Sequence, residues 1–403
     1  MKKTKICLSA FIGSDNLGDE AIFYQIVSDL QKGFFINILS VNPDKTRNLI
    51  KDLNKENFNI YRANKISQIF KAIKNSDVFI CGGGGLIQDQ TSVYNLLYHL
   101  SKSVLAKILK KKIMFYGIGV GPIRFRLNKI LINKIMNYSD IITVRDYESK
   151  RLLEIIGVKN NLIILTADPA INLKSISKKE VYKIFKNNGV NTDKPIMTIC
   201  LRHWFDTYSF IPVRLVKKLG LQTKKDIMRY NTFIEKISKV VSYCRDELNF
   251  QIIFLPFWLD RDNKVHEDIL SRIKNKDKIF LLNKEFTPSE AKGIISGSDF
   301  VLGMRLHSVI LALSENVPFI ALSYSSKVNN YLRNFFENDK LKKVSVNPEK
   351  FAVNELIEKI NYGLKNRLTR TKEFRIKLLN NMKNEKENLN LLNRRVIKSK
   401  IAL

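Results

Sequence analysis

Short apolar runs alternate with amphipathic stretches along most of this chain. Residues 6–12 are apolar and end in a polar turn, after which Ile22, Ile26 and Leu30 recur at helical spacing. The pattern then predicts a strand over 34–41, a helix over 64–75 and a strand over 78–81. A helix over 93–109, a strand over 113–118, a helix over 127–137 and strands over 141–144 and 162–166 follow. The polar stretch 174–194, with a short helical pattern, reads as a linker. Beyond it the alternation resumes: strand 196–201, helix 231–247, strand 251–257, helix 263–274 and strand 278–282. Thr287, Pro288 and Glu290 form a helix start with cap, first-turn proline and capping-box acid. Strand 300–302, a buried helix from Val309 and strand 319–322 come next. Strand–helix alternation on both sides of one linker predicts two α/β domains, 1–175 and 176–363. Residues 364–403 form a basic helical tail. Phe374, Leu378, Met382, Leu389, Leu392 and Val396 recur there at helical spacing. The tail packs on the first domain or lies on an anionic membrane.

The unusual residues fall where strands end. The first strand runs into Gly13-Ser14-Asp15-Asn16-Leu17-Gly18-Asp19-Glu20. Its spacing is not that of a dinucleotide fingerprint, but its backbone amides suit an anion or hydroxyls. The plainer explanation is a tight turn with Asp19 as helix cap. Strand 78–81 meets Gly82, Gly83, Gly84 and Gly85, followed by Gln88 and Asp89. Four glycines in a row are costly to order, so the turn is read as a place where backbone meets a ligand or forms a nest of N–H donors. Strand 141–144 ends in Arg145, and Asp168-Pro169 forms a later turn. Strand 300–302 breaks at Gly303 and delivers Arg305 and His307, and strand 319–322 delivers Lys327. In open parallel sheets ligands bind beyond the carboxyl ends of strands. Arginine, lysine and histidine gathered there point to an anionic ligand and a proton donor. Ser76-Asp77, Ser139-Asp140 and Ser298-Asp299 each precede one of these strands. His99, inside a helix, reads as a packing or surface residue.

Composition narrows the function classes. The 403 residues carry 69 Lys and Arg against 38 Asp and Glu, a formal charge of +31. The lysines are scattered, and the special motifs are glycine turns rather than the aromatic-and-basic platforms of nucleic-acid binders, so no nucleic-acid partner is expected. Residues 212–230 are basic and read as an inserted loop. The four cysteines are far apart, mostly in strands, and read as core thiols of a cytoplasmic protein. No cluster has metal-ligand spacing, and no stretch is long enough to span a bilayer.

Taken together, GSDNLGDEAI, CGGGGLIQDQTS, YGIGVGP, VRDYES, TADPA, GMRLHS and PFIALSYSSKV resemble the polysaccharide pyruvyl transferase family in content, order and spacing. The resemblance implies two Rossmann-like domains facing across a cleft, a GT-B-like fold with the acceptor side in the first domain and the donor side in the second. It implies transfer of a pyruvyl group from phosphoenolpyruvate, a co-substrate, to a sugar of a cell-surface glycan or its lipid-linked precursor. No separate cofactor is needed, and the enzyme would work in the cytoplasm or on the inner face of the plasma membrane. Arg145, His307 and Lys327 occupy the positions of the family's donor-binding and catalytic residues. Arg305 joins them, with Gly13, Asn16, Gly18, Asp19, Gly83, Gly84, Gly85, Gln88 and Asp89 on the acceptor side. Ser325 and Ser326 stand where the family often has an acidic residue. A sugar-nucleotide glycosyltransferase of the same architecture is the alternative.

Overall fold

The computed structural model describes residues 3–89, 93–203 and 223–397. Trp204, the 212–222 part of the basic loop and the last six residues lie outside them. The chain forms two compact units, Met1–Leu173 with Asn380–Leu403, and Lys174–Leu379. The residues expected to form one separate tail are thus divided between the two.

The first unit is built on a seven-stranded sheet of β1 (Thr4–Ser9), β2 (Phe34–Ser40), β3 (Phe58–Arg62), β4 (Val78–Ile87), β5 (Lys112–Val120), β6 (Ile141–Val144) and β7 (Ile163–Leu165). All neighbours are parallel, in the order β3-β2-β1-β4-β5-β6-β7. Most of these strands are apolar without alternation because helices cover both faces. Helices α1 (Leu17–Leu30) and α2 (Pro43–Leu49) connect strands that step one way from β1. Helices α3 (Ile66–Lys74), α4 (Val93–Ile108), α5 (Arg126–Met136) and α6 (Tyr147–Ile156) connect strands that step the other way. With right-handed crossovers, the two sets lie on opposite faces.

The second unit opens with α7 (Lys178–Asn187), within the expected linker, and repeats the plan with six parallel strands, β8 (Ile196–Cys200), β9 (Gln251–Phe254), β10 (Ile279–Leu281), β11 (Phe300–Gly303), β12 (Phe319–Leu322) and β13 (Ser345–Val346). Their order is β10-β9-β8-β11-β12-β13. Each sheet therefore reverses its strand order once, between β1 and β4 and between β8 and β11. Those two points are where such folds open a crevice.

The recurring Ser-Asp pair has a structural task. The Asp77 carboxylate accepts from Lys5 N at 3.0 Å, Asp140 from Ile113 N at 2.8 Å and Asp299 from Ile196 N at 2.9 Å. Each acid satisfies an amide at the start of the adjacent parallel strand, where the ladder leaves it without a partner.

Several expectations are corrected. Helix α2 and strand β3 lie in a polar stretch whose periodicity was too short to read. Asn16, not Asp19, caps α1: its side chain accepts from Gly18 N, while Asp19 accepts from Asn16 Nδ2. The four glycines are not a turn after β4 but part of it, paired with β5 through Gly82↔Tyr116 and Gly84↔Ile118.

The C-terminal helix, Lys372–Leu391, starts in the second unit, where Phe374 stacks on Phe336 and lies against Phe335. It ends in the first. There the buried stripe runs through Asn381, Glu385, Asn388, Leu392 and Val396, not through the expected Met382 and Leu389, which are half-buried. The Glu385 carboxylate accepts from Asn172 Nδ2 at 2.5 Å, and Asn388 Oδ1 from Thr166 Oγ1 at 2.9 Å. Polar residues hold the core register because they meet polar groups of the first unit.

Burial pushes the Glu385 carboxyl up to about 8, helped by the charges of Asp29 and Asp168. The folded chain therefore keeps a proton that the unfolded chain loses above its ordinary value of 4.5. This contribution to stability is full below that value and is lost as pH rises through about 8. Across the window the slope is ~1.4 kcal/mol per pH unit for one group. Melting curves from pH 5 to 9 should fall in wild type, and Glu385→Gln should flatten that part of the profile. An unchanged slope in the variant would clear Glu385 of the effect.

Candidate functional site

At the switch point of the second unit, the ends of β8, β11 and β12 bring together Arg202, Arg305, His307, Tyr324 and Lys327. Arg305 is the N-cap residue of the helix Leu306–Ser314, whose first turn carries His307; no side chain caps that end. Lys327 sits in the first turn of the helix Ser326–Leu332, with Ser325 as its N-cap residue. Because β11 and β12 are parallel neighbours, Arg305, His307 and Lys327 share one edge of the sheet, as the sequence predicted. Apart from Arg305, these side chains are half-buried, so each reaches the rim without standing fully in water.

Arg202 was not singled out from the sequence. It leaves β8, donates from Nη1 to the Tyr324 hydroxyl at 2.7 Å, and lies 4.7 Å from the Tyr324 ring centre. The signal was a strand end followed by Arg-His, the same signal that marked Arg305. Arg305 itself is 7% exposed and is gripped by Asp262, a fully buried carboxylate on the helix Leu259–Arg272. Its Nε donates to Asp262 Oδ2 at 3.1 Å, and its Nη2 donates to Oδ1. The same Oδ2 accepts from Phe257 N and Trp258 N at 3.0 and 2.9 Å. Asp262 thus ties the turn after β9 to the turn after β11. Arg305 is thus one half of a buried ion pair.

Arg145 is paired in the same way. It is 3% exposed, and its Nη1 donates to Asp168 at 2.8 Å, with Asp146 at 3.5 Å from Nε. A Cβ on Gly119 would stand 2.6 Å from Arg145 Nε, so the guanidinium lies flat on the β5 backbone. Asp168 also caps the short turn Pro169–Asn172 through Ala170 N at 3.0 Å. The Asp168-Pro169 turn was visible in sequence; that its acid neutralises Arg145 was not. Arg145 is thus charge-matched within the first unit.

At the switch point of the first unit, the first turns of α1 lie against β4. A Cβ on Gly83 would come within 1.9 Å of Ile22 Cγ2, and one on Gly84 within 3.2 Å of Asp19 Oδ1. Close packing of α1, not a nest of amides, explains Gly83. Gly84 holds φ +81, where any side chain is strained, so a valine there would disturb the fold as well as any ligand. Gly85 is half-buried, while Gly13 is buried in the turn after β1 and Gly18 in the first turn of α1. Gln88 is buried. The Asp89 carboxylate accepts from Arg124 N, Phe125 N and Asn128 Nδ2 at 2.8–3.1 Å, which fixes the start of α5. These bonds fix the local fold around Asp89. His99 is buried, and burial pushes its ring down to about 3.

Two groups here were missed. Glu20 Oε1 accepts from Ser14 N at 2.9 Å, whereas its buried Oε2 meets no hydrogen-bond partner among the described residues. Burial pushes this carboxyl up to about 7, with the Asp19 charge adding to the rise. Lys102 is buried beside Ser9 Oγ at 3.2 Å, and burial pushes its amine down to about 8. A carboxyl poised near neutrality in the helical turn beyond a strand end has the properties of an acid–base group. Sequence named the loop but not which acid was desolvated. No group of three or more His, Cys, Asp or Glu side chains among the described residues is arranged to hold a metal. No described helix is long and apolar enough to cross a membrane.

A family model described as polysaccharide pyruvyl transferase matches residues 16–326. The amylovoran biosynthesis protein AmsJ of Erwinia amylovora is 22% identical over 271 residues, 65% of this chain. The match spans 60% of that relative's length. Among solved structures, a putative UDP-N-acetylglucosamine 2-epimerase from Listeria monocytogenes is similar with a TM-score of 0.63 at 12% identity, covering 100% of this chain and 97% of the other. Anabaena HepE, in complex with UDP-glucose, is similar with a TM-score of 0.60 at 11% identity, covering 99% of this chain and 100% of the other. At such identities the similarity speaks for the fold alone, which is GT-B-like.

The two kinds of cation should respond differently to mutation. Asp168→Ala strands a buried guanidinium and should cost ~3–5 kcal/mol of stability. Lys327→Ala, on the half-buried rim, should stay within ~1 kcal/mol. Urea unfolding of both variants checks this. A small loss for Asp168→Ala would mean that water reaches Arg145 after all.

Proposed function

We propose a pyruvyl transfer for this chain, which belongs to the polysaccharide pyruvyl transferase family. The donor is phosphoenolpyruvate and the acceptor a sugar of a cell-surface polysaccharide or of its lipid-linked precursor. The observation that carries this reading is the cationic rim at the ends of β8, β11 and β12, where His307 stands between charges of one sign. Phosphoenolpyruvate is a small enol with a carboxylate and a phosphate, and it needs two cationic contacts and one acid. Arg202 and Lys327 suit the two anionic groups, the first as a planar fork and the second as a point charge. The uncapped N-terminus of Leu306–Ser314 adds backbone donors for an anion. Arg305, fixed by Asp262, sets where His307 leaves the strand.

In this reading His307 gives a proton to the enol methylene, which becomes the methyl group, and positive charge develops at the neighbouring carbon. A sugar hydroxyl adds there and gives up its proton. A second hydroxyl then displaces phosphate and closes the ketal. We assign the acceptor side to the segment Gly13–Glu20 of the first unit, where Glu20 is the group with acid–base character. Gln88 and Gly85 belong to the same side. Family membership and the polysaccharide-biosynthesis relative support a glycan acceptor.

Phosphate release from phosphoenolpyruvate with a glycan acceptor tests the donor and the acid together. His307→Ala should lower turnover ~10²–10⁴-fold. Equal rates would remove His307 from the chemistry. Binding of UDP-sugars in place of phosphoenolpyruvate would favour a sugar-nucleotide reaction, as the likeness to a UDP-glucose-bound protein makes worth measuring.

Glu20 makes a separate prediction. As a proton acceptor it must be ionised, so the rate should fall as pH drops below about 7. Glu20→Gln should lower kcat and abolish that acidic limb. A limb that survives in the variant belongs to another group.

A further inference from the structure

We infer that the outer surface of α3, α4 and α5 is a docking face for an anionic lipid bilayer. These helices lie side by side on one face of the first sheet, and they turn apolar residues outward. On α4, Leu97, Val104 and Ile108 are exposed and follow one solvent-facing stripe with Ser101. Leu127 and Ile130 are exposed on α5, and Ile66 and Phe70 on α3. Three of these are mostly open: Ile66 at 82%, Ile108 at 69% and Leu127 at 66%. An aqueous surface gains nothing from apolar side chains set out at helical spacing on three adjacent helices.

Charge identifies the occupant. The nine, sixteen and eleven residues of the three helices contain no Asp or Glu, although acids make up roughly one residue in ten of the chain. Lysines crowd the far ends instead. Lys107 Nζ lies 5.6 Å from the Tyr138 ring centre, and Lys111 Nζ donates to the Lys74 carbonyl at 2.8 Å. These contacts bring the C-terminal ends of all three helices into one basic border. The acid-free region stops at α6, which carries Glu148 and Glu154. Apolar side chains to enter the acyl boundary and lysines to meet anionic headgroups are what an interfacial surface needs.

The N-terminal ends of α4 and α5 follow the strand ends of β4 and β5, on the sheet edge that bears Gly13 and Gly85. A sheet edge that takes a lipid-linked sugar would thus sit beside the lipid. In this respect the inference rests on the acceptor proposed above.

The full-length chain is tested by co-sedimentation with vesicles of phosphatidylglycerol and phosphatidylcholine, against phosphatidylcholine alone. Wild type should bind the anionic vesicles and be released by ~0.5 M salt. Ile108→Glu with Leu127→Glu should lower the partition ~10-fold or more. Its melting temperature and its phosphate release with a soluble acceptor should be unchanged. Wild type that stays in solution, or a double variant that binds as well as wild type, overturns the inference. So does a double variant that only converts a dimer to a monomer, which would make the face a contact between copies. Failure of the pyruvyl-transfer reading would appear as no phosphate release with any acceptor, and vesicle binding is read without it.

Discussion

A guanidinium buried at the end of a strand must find a carboxylate, and each unit of this protein is arranged around one such pair. Arg305 meets Asp262 in the second unit, and Arg145 meets Asp168 in the first. Both acids are fully buried. An isolated charge in such surroundings costs several kcal/mol, so neither partner is free to move without the other. Asp262 also holds two backbone amides of the turn after β9. One carboxylate therefore fixes two strand-end turns on either side of β8. His307, two residues beyond Arg305, inherits its position from that clamp. Asp168 works similarly, joining the turn after β7 to the end of β6.

The division of labour among the cations follows from this. Buried arginines spend their hydrogen bonds on the fold and set geometry. The half-buried Arg202, Lys327 and His307 retain access to the rim, where the proposed donor would meet them. The donor contacts proposed here therefore rest on Arg202 and Lys327 more than on the arginines that stood out in sequence. Glycine shows the same economy in the first unit. Gly83 and Gly119 exist because an isoleucine and an arginine pack directly on the backbone. The strand ends are crowded with polar chemistry, and glycines keep that chemistry close to the sheet.

What the sequence determined by itself was everything that depends on local periodicity. Apolar runs of strand length between helical stripes specify a parallel α/β fold on both sides of a polar segment. The same runs place Arg145, Arg305, His307 and Lys327 at strand ends, and the Thr287 capping box forms as its residues require. What only the tertiary structure decided was pairing. Asp168 is 23 residues from Arg145, and Asp262 is 43 from Arg305, separations that no period reports. The four glycines read as a turn because glycine breaks strands locally, yet pairing with β5 and the packing of α1 keep them in the sheet. The tail's buried register passes through Glu385 and Asn388, residues that a hydrophobicity pattern places in water, because Asn172 and Thr166 wait for them. Local patterns record which residues prefer burial, whereas the partners that make burial of a charge or an amide tolerable are brought together by the fold alone.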